Sequence, residues 1–426
     1  MRVLTLFILL PMALAGLFGR LRLKAAAVLS PTNQEHVIPG RYIVVLQKTV
    51  STEKVQQLAK EYNADPRHIF IDVLKGFSAN LNPAAVQELR NNGDVDFLEQ
   101  DTRISIEPPA PRSPVLSESD SEDEEDARPS RWRVQQGAPW GLGRISNKDK
   151  YRSNYCYHYT AGAGTCSYII DTGIDPTHPD FQGRARQLVS FTTSKRDNSG
   201  HGTRIAGIVG GKIHGVAKRT RLFGVKVADD HTQRSLSTVL SNLIAGINFV
   251  TKDHPRRKFC QKGIVVLIGI AVPRSRTLNQ AAAALVKSGA FVAVPAGDSG
   301  IDASSMSPAS EPSVCTVGVA NIHDSVPPQS NHGKRVDIFA PGVFIKSTYK
   351  QHTDARFSGS AAAAAHVAGL GAYLGAKDGF TGAGVCPHIR RLSIKGQLRD
   401  VRPNTVNALA YNNAGGPCNP RRLRAS

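Results

Sequence analysis

Beyond residue 133, short unbroken apolar runs alternate with longer helical stretches, and this limits the fold more than any other property of the 426-residue chain. The runs "TCSYIID", "GIVVLIGIAV" and "AFVAVPAG" lack the every-second-residue polar alternation of a strand with one wet face, and they read as strands buried on both sides. Between them, "STVLSNLIAGINFVTK" and "TLNQAAAALVKSG" read as helices. Strand and helix in turn predict an α/β domain, a parallel sheet with helices on both faces. Ligands of such sheets gather beyond the carboxyl ends of the strands. Asp171, which closes "SYIID" ahead of Thr172 and Gly173, is therefore the first candidate functional residue.

The length calls for two or three units, and composition shows where they divide. Residues 108–133, "PPAPRSPVLSESDSEDEEDARPSRWR", are too rich in proline, serine and acids to bury a core and read as a linker. Ahead of them, "GRYIVVLQKTV", "STEKVQQLAKEY", "HIFIDVLKGFSANL" and "NPAAVQELRNNGDVDFLEQDTRISI" predict a small α+β, ferredoxin-like unit of order βαββαβ over 32–107. Residues 1–15 combine Arg2, an apolar run and Ala13-Leu14-Ala15, the pattern of a secretory leader. No later run is long enough to span a bilayer, so no membrane association is expected. From Val134 onward there are 37 Lys and Arg against 16 Asp and Glu, or +21 against +19 for the whole chain. So basic a surface could attract anionic cell walls, nucleic acid or the acidic linker, or simply favour solubility. No nucleic-acid-binding motif accompanies it, and no nucleic-acid partner is expected. Six cysteines without a CxxC spacing fit disulfides in an exported protein rather than a zinc site.

The chain also carries a resemblance. "YIIDTGIDPTHPDFQGRA", "GHGTRIAGIVGGKIHGVAK", "LFGVKVADD", "SPASEPSVCTVGVA", "VDIFAPG" and "AAHVAGLGAYLGA" resemble, in order, landmarks of subtilisin-like serine proteases of the fungal proteinase K type, from about Pro139 to Asn413. "PGRYIVVLQ", "GFSANL" and "VDFLEQD" resemble that family's pro-region, which chaperones folding and lays its last strand in the active cleft. The resemblance implies a peptidase domain over 134–426 and an aspartate–histidine–serine triad. Asp171 would be the orienting acid and His201, in "GHGT", the base.

The nucleophile is what departs from the pattern. The family sequence G-T-S-M-A-x-P-H-V-A-G puts the serine five residues before its histidine, and five residues before His366 stands Ala361. Ser360 falls where the family has threonine; one helical step turns a side chain by about 100°, so its hydroxyl is expected to point away from His201. The oxyanion asparagine of A-A-G-N corresponds to Asp298 in "VPAGDSG", expected close to His201. An ionised carboxylate donates no hydrogen bond, and losing such a donor costs about 2.7–4 kcal/mol of transition-state stabilisation. The substrate-pairing S-L-G-G is replaced by Gly269, Ile270, Ala271 and Val272, and the facing glycine-rich loop by "HTQRSLST", which contains Leu236. Arg204 follows "HGT" where the family has histidine or a small residue, and Ala365 replaces the proline before His366.

These changes predict a secreted, monomeric pseudoprotease that binds peptide or protein ligands, its own pro-region among them, without cleaving them. The alternative is a weakly active endopeptidase using Asp171, His201 and Ser360. A chain without a nucleophile cannot remove its own pro-region, which should stay attached unless another protease cuts near Arg128, Arg131 or Arg133. By family position, Cys166 pairs with Cys260 and Cys315 with Cys386. Cys156 and Cys418 could pair with each other, or Cys418 could be a free thiol or an intermolecular link. The resemblance also suggests a structural calcium ion held by the carbonyls of Pro312 and Val314 and the carboxylate of Asp337; otherwise Asp337 closes a buried turn. No catalytic cofactor is expected.

Overall fold

The computed structural model describes residues 25–31, 33–106, 131–232 and 235–414. The leader, most of the expected linker and Cys418 lie outside them. The N-terminal unit runs β1 (Ala27–Leu29), β2 (Val37–Leu46), α1 (Thr52–Glu61), β3 (Ile69–Phe70), β4 (Gly76–Asn80), α2 (Pro83–Asn91) and β5 (Val95–Ile106). Ser51 caps α1 by accepting the Lys54 N–H, and Asn82 caps α2 ahead of Pro83. The strands pair antiparallel in the order β5-β2-β4-β3, the arrangement expected of βαββαβ. Val44, Leu58, Phe77 and Leu98 fill the space under the helices. The unit begins earlier than residue 32, because β1 adds to the other edge of β5, parallel to it, with Ala27 beside Phe97.

The second unit opens with β6 (Trp132–Gln135), α3 (Trp140–Ser146), β7 (Tyr155–His158), β8 (Cys166–Asp171), β9 (Ala185–Ser190), α4 (His201–Gly210) and β10 (Arg221–Lys226). It continues through β11 (Asp229–Thr232), β12 (Ser235–Val239), α5 (Leu240–Asp253), β13 (Ile264–Ile268), β14 (Val272–Pro273), α6 (Arg276–Lys287), β15 (Phe291–Pro295) and β16 (Met306–Ser307). It closes with β17 (Cys315–Ala320), β18 (Ile338–Pro341), β19 (Ile345–Thr348), β20 (Asp354–Phe357), α7 (Ser360–Asp378), α8 (Val385–Leu392), β21 (Ile394–Lys395) and β22 (Ala408–Leu409). Seven parallel strands lie in the order β9-β10-β8-β13-β15-β17-β18, with β22 and β21 beyond β18. Alternate residues face opposite layers. Tyr168 and Ile170 of β8 pack with α5 and α6, whereas Ile169 packs with α4 and α7. No helix among the described residues is long and apolar enough to cross a membrane.

Two boundaries move. Trp132 and Arg133, assigned to the linker, belong to β6, where Trp132 pairs with His158 and meets its ring edge-on at 5.6 Å. The expected helix "STVLSNLIAGINFVTK" starts only at Leu240, since Ser237–Val239 complete β12. The alanine run is the first turn and a half of α7. Ala362 to Ala365 are fully buried, and farther along a Cβ on Gly371 would lie 2.3 Å from the Phe291 ring, so small residues let α7 close on β15.

The two units meet along β5. Arg103 to Ile106 pair antiparallel with Val239 to Leu236 of β12. Glu99 and Asp101, two residues apart and hence on one face of the strand, point at two helix starts. Asp101 accepts the Ser241 N–H (3.1 Å) and hydroxyl (2.6 Å) at the head of α5, and Glu99 accepts the Thr277 N–H (2.8 Å) and hydroxyl at the head of α6. Each carboxylate satisfies N–H groups that have no partner within the helix and sits at the positive end of its dipole.

Candidate active site

Asp171 is the last residue of β8 and His201 the first of α4, and one buried acid sets their register. Asp197 accepts the N–H groups of Gly200 (2.8 Å) and Thr203 (2.8 Å) and the hydroxyls of Thr172 (2.8 Å) and Thr203 (2.6 Å). Burial pushes its carboxyl above the ordinary range, against the pull of those donors. Gly200, which precedes α4, has φ 79°, and a Cβ there would lie 2.3 Å from the Tyr349 ring. Asp171 and His201 are consequently joined, Oδ1 to Nδ1, at 2.8 Å. Oδ1 also accepts the Thr172 N–H, while the buried Oδ2 has no partner. Gly269 is required here, since a Cβ would lie 2.3 Å from that Oδ2.

A cleft of about 900 Å³ opens in front of His201 and is lined by Gly269, Ile270, Ala271, Asp298, Ser360 and Ala361 among others. Ala361, in the first turn of α7, presents a methyl group to it. Ser360 is 1 % exposed, its hydroxyl donating to Asp298 Oδ2 (2.7 Å) and accepting the Gly297 N–H (3.2 Å). The backbone N–H of Ser360 also goes to Asp298, at 2.8 and 3.1 Å from its two oxygens. Asp298 shares the cleft with His201, as expected, and is close enough to feel its charge, but its hydrogen bonds go to Ser360, the first residue of α7 after the Gly359 cap. Burial raises its carboxyl, and Ser360 and the His201 charge oppose that rise.

The cleft walls differ from expectation in two ways. Residues 269–271 form no strand and do not pair with β5, and Ile270 turns into the core at 1 % exposure while Val272 pairs with Ser307. On the opposite wall the backbone of Leu236 pairs with Ile106, and its side chain lies outside the described residues. Ile104 and Ser105 of β5 line the same cleft as His201. Arg204, one turn after His201, is buried with its guanidinium 5.0 Å from the Tyr349 ring centre and 4.9 Å from that of Phe357; its Nη1 has no hydrogen-bond partner, and burial lowers its pKa. Ala365 is fully buried ahead of His366, whose Nδ1 lies 2.9 Å from the Ala362 carbonyl and whose pKa burial lowers to about 4.

Cys166–Cys260 and Cys315–Cys386 are bonded as the resemblance implied. Cys156 is fully buried beside Ala414, and Cys418 lies outside the described residues. The expected calcium ligands include one carboxylate, that of Asp337. Asp337 Oδ2 accepts the Thr316 N–H (2.9 Å) and Oδ1 faces the Arg390 guanidinium (3.4 Å), so the single carboxylate is already hydrogen-bonded and paired with a cation. Among the described residues the only group of three His, Cys, Asp or Glu side chains gathered closely enough to share a metal is Asp337 with Cys315 and Cys386, whose sulfurs are spent in the disulfide. Asp197, Glu99 and Asp101 were missed from the sequence. The signal for Asp197 was an acid four residues before the helix-opening His201; for the other two it was their period-2 spacing in "EQD".

Residues 162–412 match the model of the subtilase family. The chain is 40% identical over 414 residues to the alkaline serine protease ver112 of Corniculantispora psalliotae, covering 97% of this chain and 100% of that one. It is 38% identical over 383 residues to proteinase R of Parengyodontium album, covering 90% of this chain and 91% of that protein. A crystal structure of a cold-adapted subtilisin-like serine proteinase superposes with TM-score 0.59 at 32% identity, covering 65% of this chain and 99% of that one. The chain therefore belongs to the subtilase family of serine proteases, among the fungal proteinase K-type members.

Proposed function

We propose that this protein is an exported subtilase that has kept the peptide-binding cleft and lost peptide cleavage. One observation carries the reading: the cleft admits an extended strand, Ile104 and Ser105 of the chain itself, beside a correctly paired His201, yet the residue presented there is Ala361. Nucleophilic catalysis needs a hydroxyl within reach of the base. The hydroxyl nearest in sequence, that of Ser360, is buried and donates to Asp298. The Asp298 carboxylate stands where the family places a donor to the oxyanion, and it can only accept. Residues 26–106 serve as the retained pro-region, and the leader-like start together with the disulfides supports export.

The intact His201–Asp171 pair favours a second reading, a weak hydrolase using Ser360. The test is to incubate the purified full chain and its His201→Ala variant with a mixed peptide library and read products by mass spectrometry. No cleavage by either protein is expected. Cleavage by the unmodified chain that His201→Ala abolishes would make it an enzyme.

A further inference from the structure

The cleft sits at the carboxyl ends of the strands, and a second surface sits at their amino ends. Cys166 and Arg221, the first residues of β8 and β10, are paired in register, one strand length from Asp171 and Lys226. The loop 159–165 forms the floor there. Its carbonyls at Ala161, Gly164 and Thr165 accept the backbone N–H groups of Arg219, Lys262 and Arg221, while the Tyr159 N–H donates to the Arg131 carbonyl. Four basic side chains thus surround one short loop, and Lys258 follows on the adjoining segment. Arg131, Arg219, Arg221, Lys258 and Lys262 are all exposed, and none forms an ion pair among the described residues. The nearby acids are taken: Asp253 pairs with Arg257 and Asp378 with Lys377. Two large exposed aromatics lie within the patch, Tyr159 (48 % exposed) and Phe259 (43 %), the latter under Arg221 at 4.5 Å.

The course of the chain names the occupant. β5 ends at Ile106 beside the cleft, and the described chain resumes at Arg131 on this opposite surface. The residues between them include seven acids within Glu118–Asp126 and no base in that span. Asp126 is five residues from Arg131, so a fully extended chain places it at most roughly 18 Å from the patch. Uncovered like charges on the surface repel one another, and a tethered polyanion is present at high local concentration whatever the protein concentration.

We propose that the acidic tract Glu118–Asp126 docks on the basic surface around loop 159–165. In the intact chain the tract neutralises this face. Cutting between Asp126 and Arg131 would end the tether that keeps the tract at high local concentration and leave the body a polyanion binder. The proposal does not depend on whether the cleft is catalytic.

The test is zero-length carbodiimide cross-linking of the dilute full chain, with the linked carboxyl–amine pairs mapped by mass spectrometry. Lys258 and Lys262 should link to acids of 118–126, and the yield should fall about tenfold in 0.5 M NaCl, where screening is strong. Arg219→Ser with Arg221→Ser should lower the Lys262 yield severalfold although that lysine is unchanged. Links distributed evenly over remote lysines such as Lys346 and Lys395, or found only between molecules, would overturn the proposal. Heparin chromatography supplies the second readout: a variant with Glu122, Glu124 and Glu125 changed to Gln and Asp123 and Asp126 to Asn should elute at higher salt than the parent. Equal elution would mean that the face is open to an external polyanion and that the tract does not cover it.

Discussion

Ser360→Ala separates a structural hydroxyl from a catalytic one. The substitution removes the 2.7 Å hydrogen bond to Asp298 and strands the Gly297 N–H that Ser360 accepts at 3.2 Å. A hydrogen bond to a charged group contributes about 1.5–3 kcal/mol, and a buried unsatisfied N–H costs about 1–3 kcal/mol. The two effects share one atom and do not simply add, so a net loss of about 3 kcal/mol is expected. In a domain of this size that corresponds to a melting point lower by about 6 °C. Ser360→Thr keeps both groups and should lose about 1 kcal/mol or less. The pH dependence follows from Asp298, whose carboxyl burial raises above the ordinary 3.8. A raised acid favours the fold below its unfolded value and loses that contribution as pH rises through the folded one. Removing a donor raises it further, so the deficit of the alanine variant should be larger at pH 7 than at pH 4. Calorimetry and urea unfolding at both pH values, with ester hydrolysis measured alongside, make the comparison. An alanine variant that melts with the parent while a basal hydrolysis disappears would refute the structural role and make Ser360 the nucleophile.

Ala361→Ser alone should recover little hydrolysis of an activated ester, because Asp298 supplies no oxyanion donor; the double variant with Asp298→Asn should exceed it by about 10²–10³-fold, and equal rates would show that Asp298 does not face the oxyanion. His214 is buried, and burial alone would lower its pKa; the hydrogen bond to Asp180 (3.0 Å) and the ion pair with Asp354 (3.4 Å) outweigh it and raise the pKa to about 9. A raised histidine stabilises the fold fully below its ordinary 6.5 and loses that contribution as pH climbs through 9, so unfolding free energy should fall by up to about 3 kcal/mol between pH 6 and 10; an equal fall in His214→Gln would dismiss the assignment. Chelation should leave the melting point within about 1 °C in the parent, because Arg390 already faces Asp337; a drop of several degrees on adding EDTA would establish a bound metal.

The parallel sheet was legible because its strands are apolar on both faces, and the positions of Asp171, His201 and Ala361 followed from motifs with fixed spacing. The linker boundary was not, because composition describes residues 108–133 as a whole, whereas the pairing of Trp132 and Arg133 with His158 and Tyr157 attaches its end to the body. The partner of Asp298 was also hidden. The family position put the carboxylate near His201 but did not show that Ser360 offers it two donors at the start of a helix, where the backbone supplies one of them. β1 escaped because a strand of three residues has too few positions to show a period.

The contacts of Glu99 and Asp101 also bear on how the chain reaches its folded state. They join residues 178 and 140 positions apart, Thr277 and Ser241, and contacts that remote form slowly. The heads of α5 and α6 gain their acidic partners only when the N-terminal unit has folded and arrived. A unit that stays covalently attached is present at an effective concentration of about millimolar in every unfolding event. Refolding from denaturant should then be first order, independent of dilution and repeatable over many cycles. For such a chain, durability is an equilibrium between two states that can be measured from either direction, and not a lifetime that ends when a discarded folding partner can no longer be found.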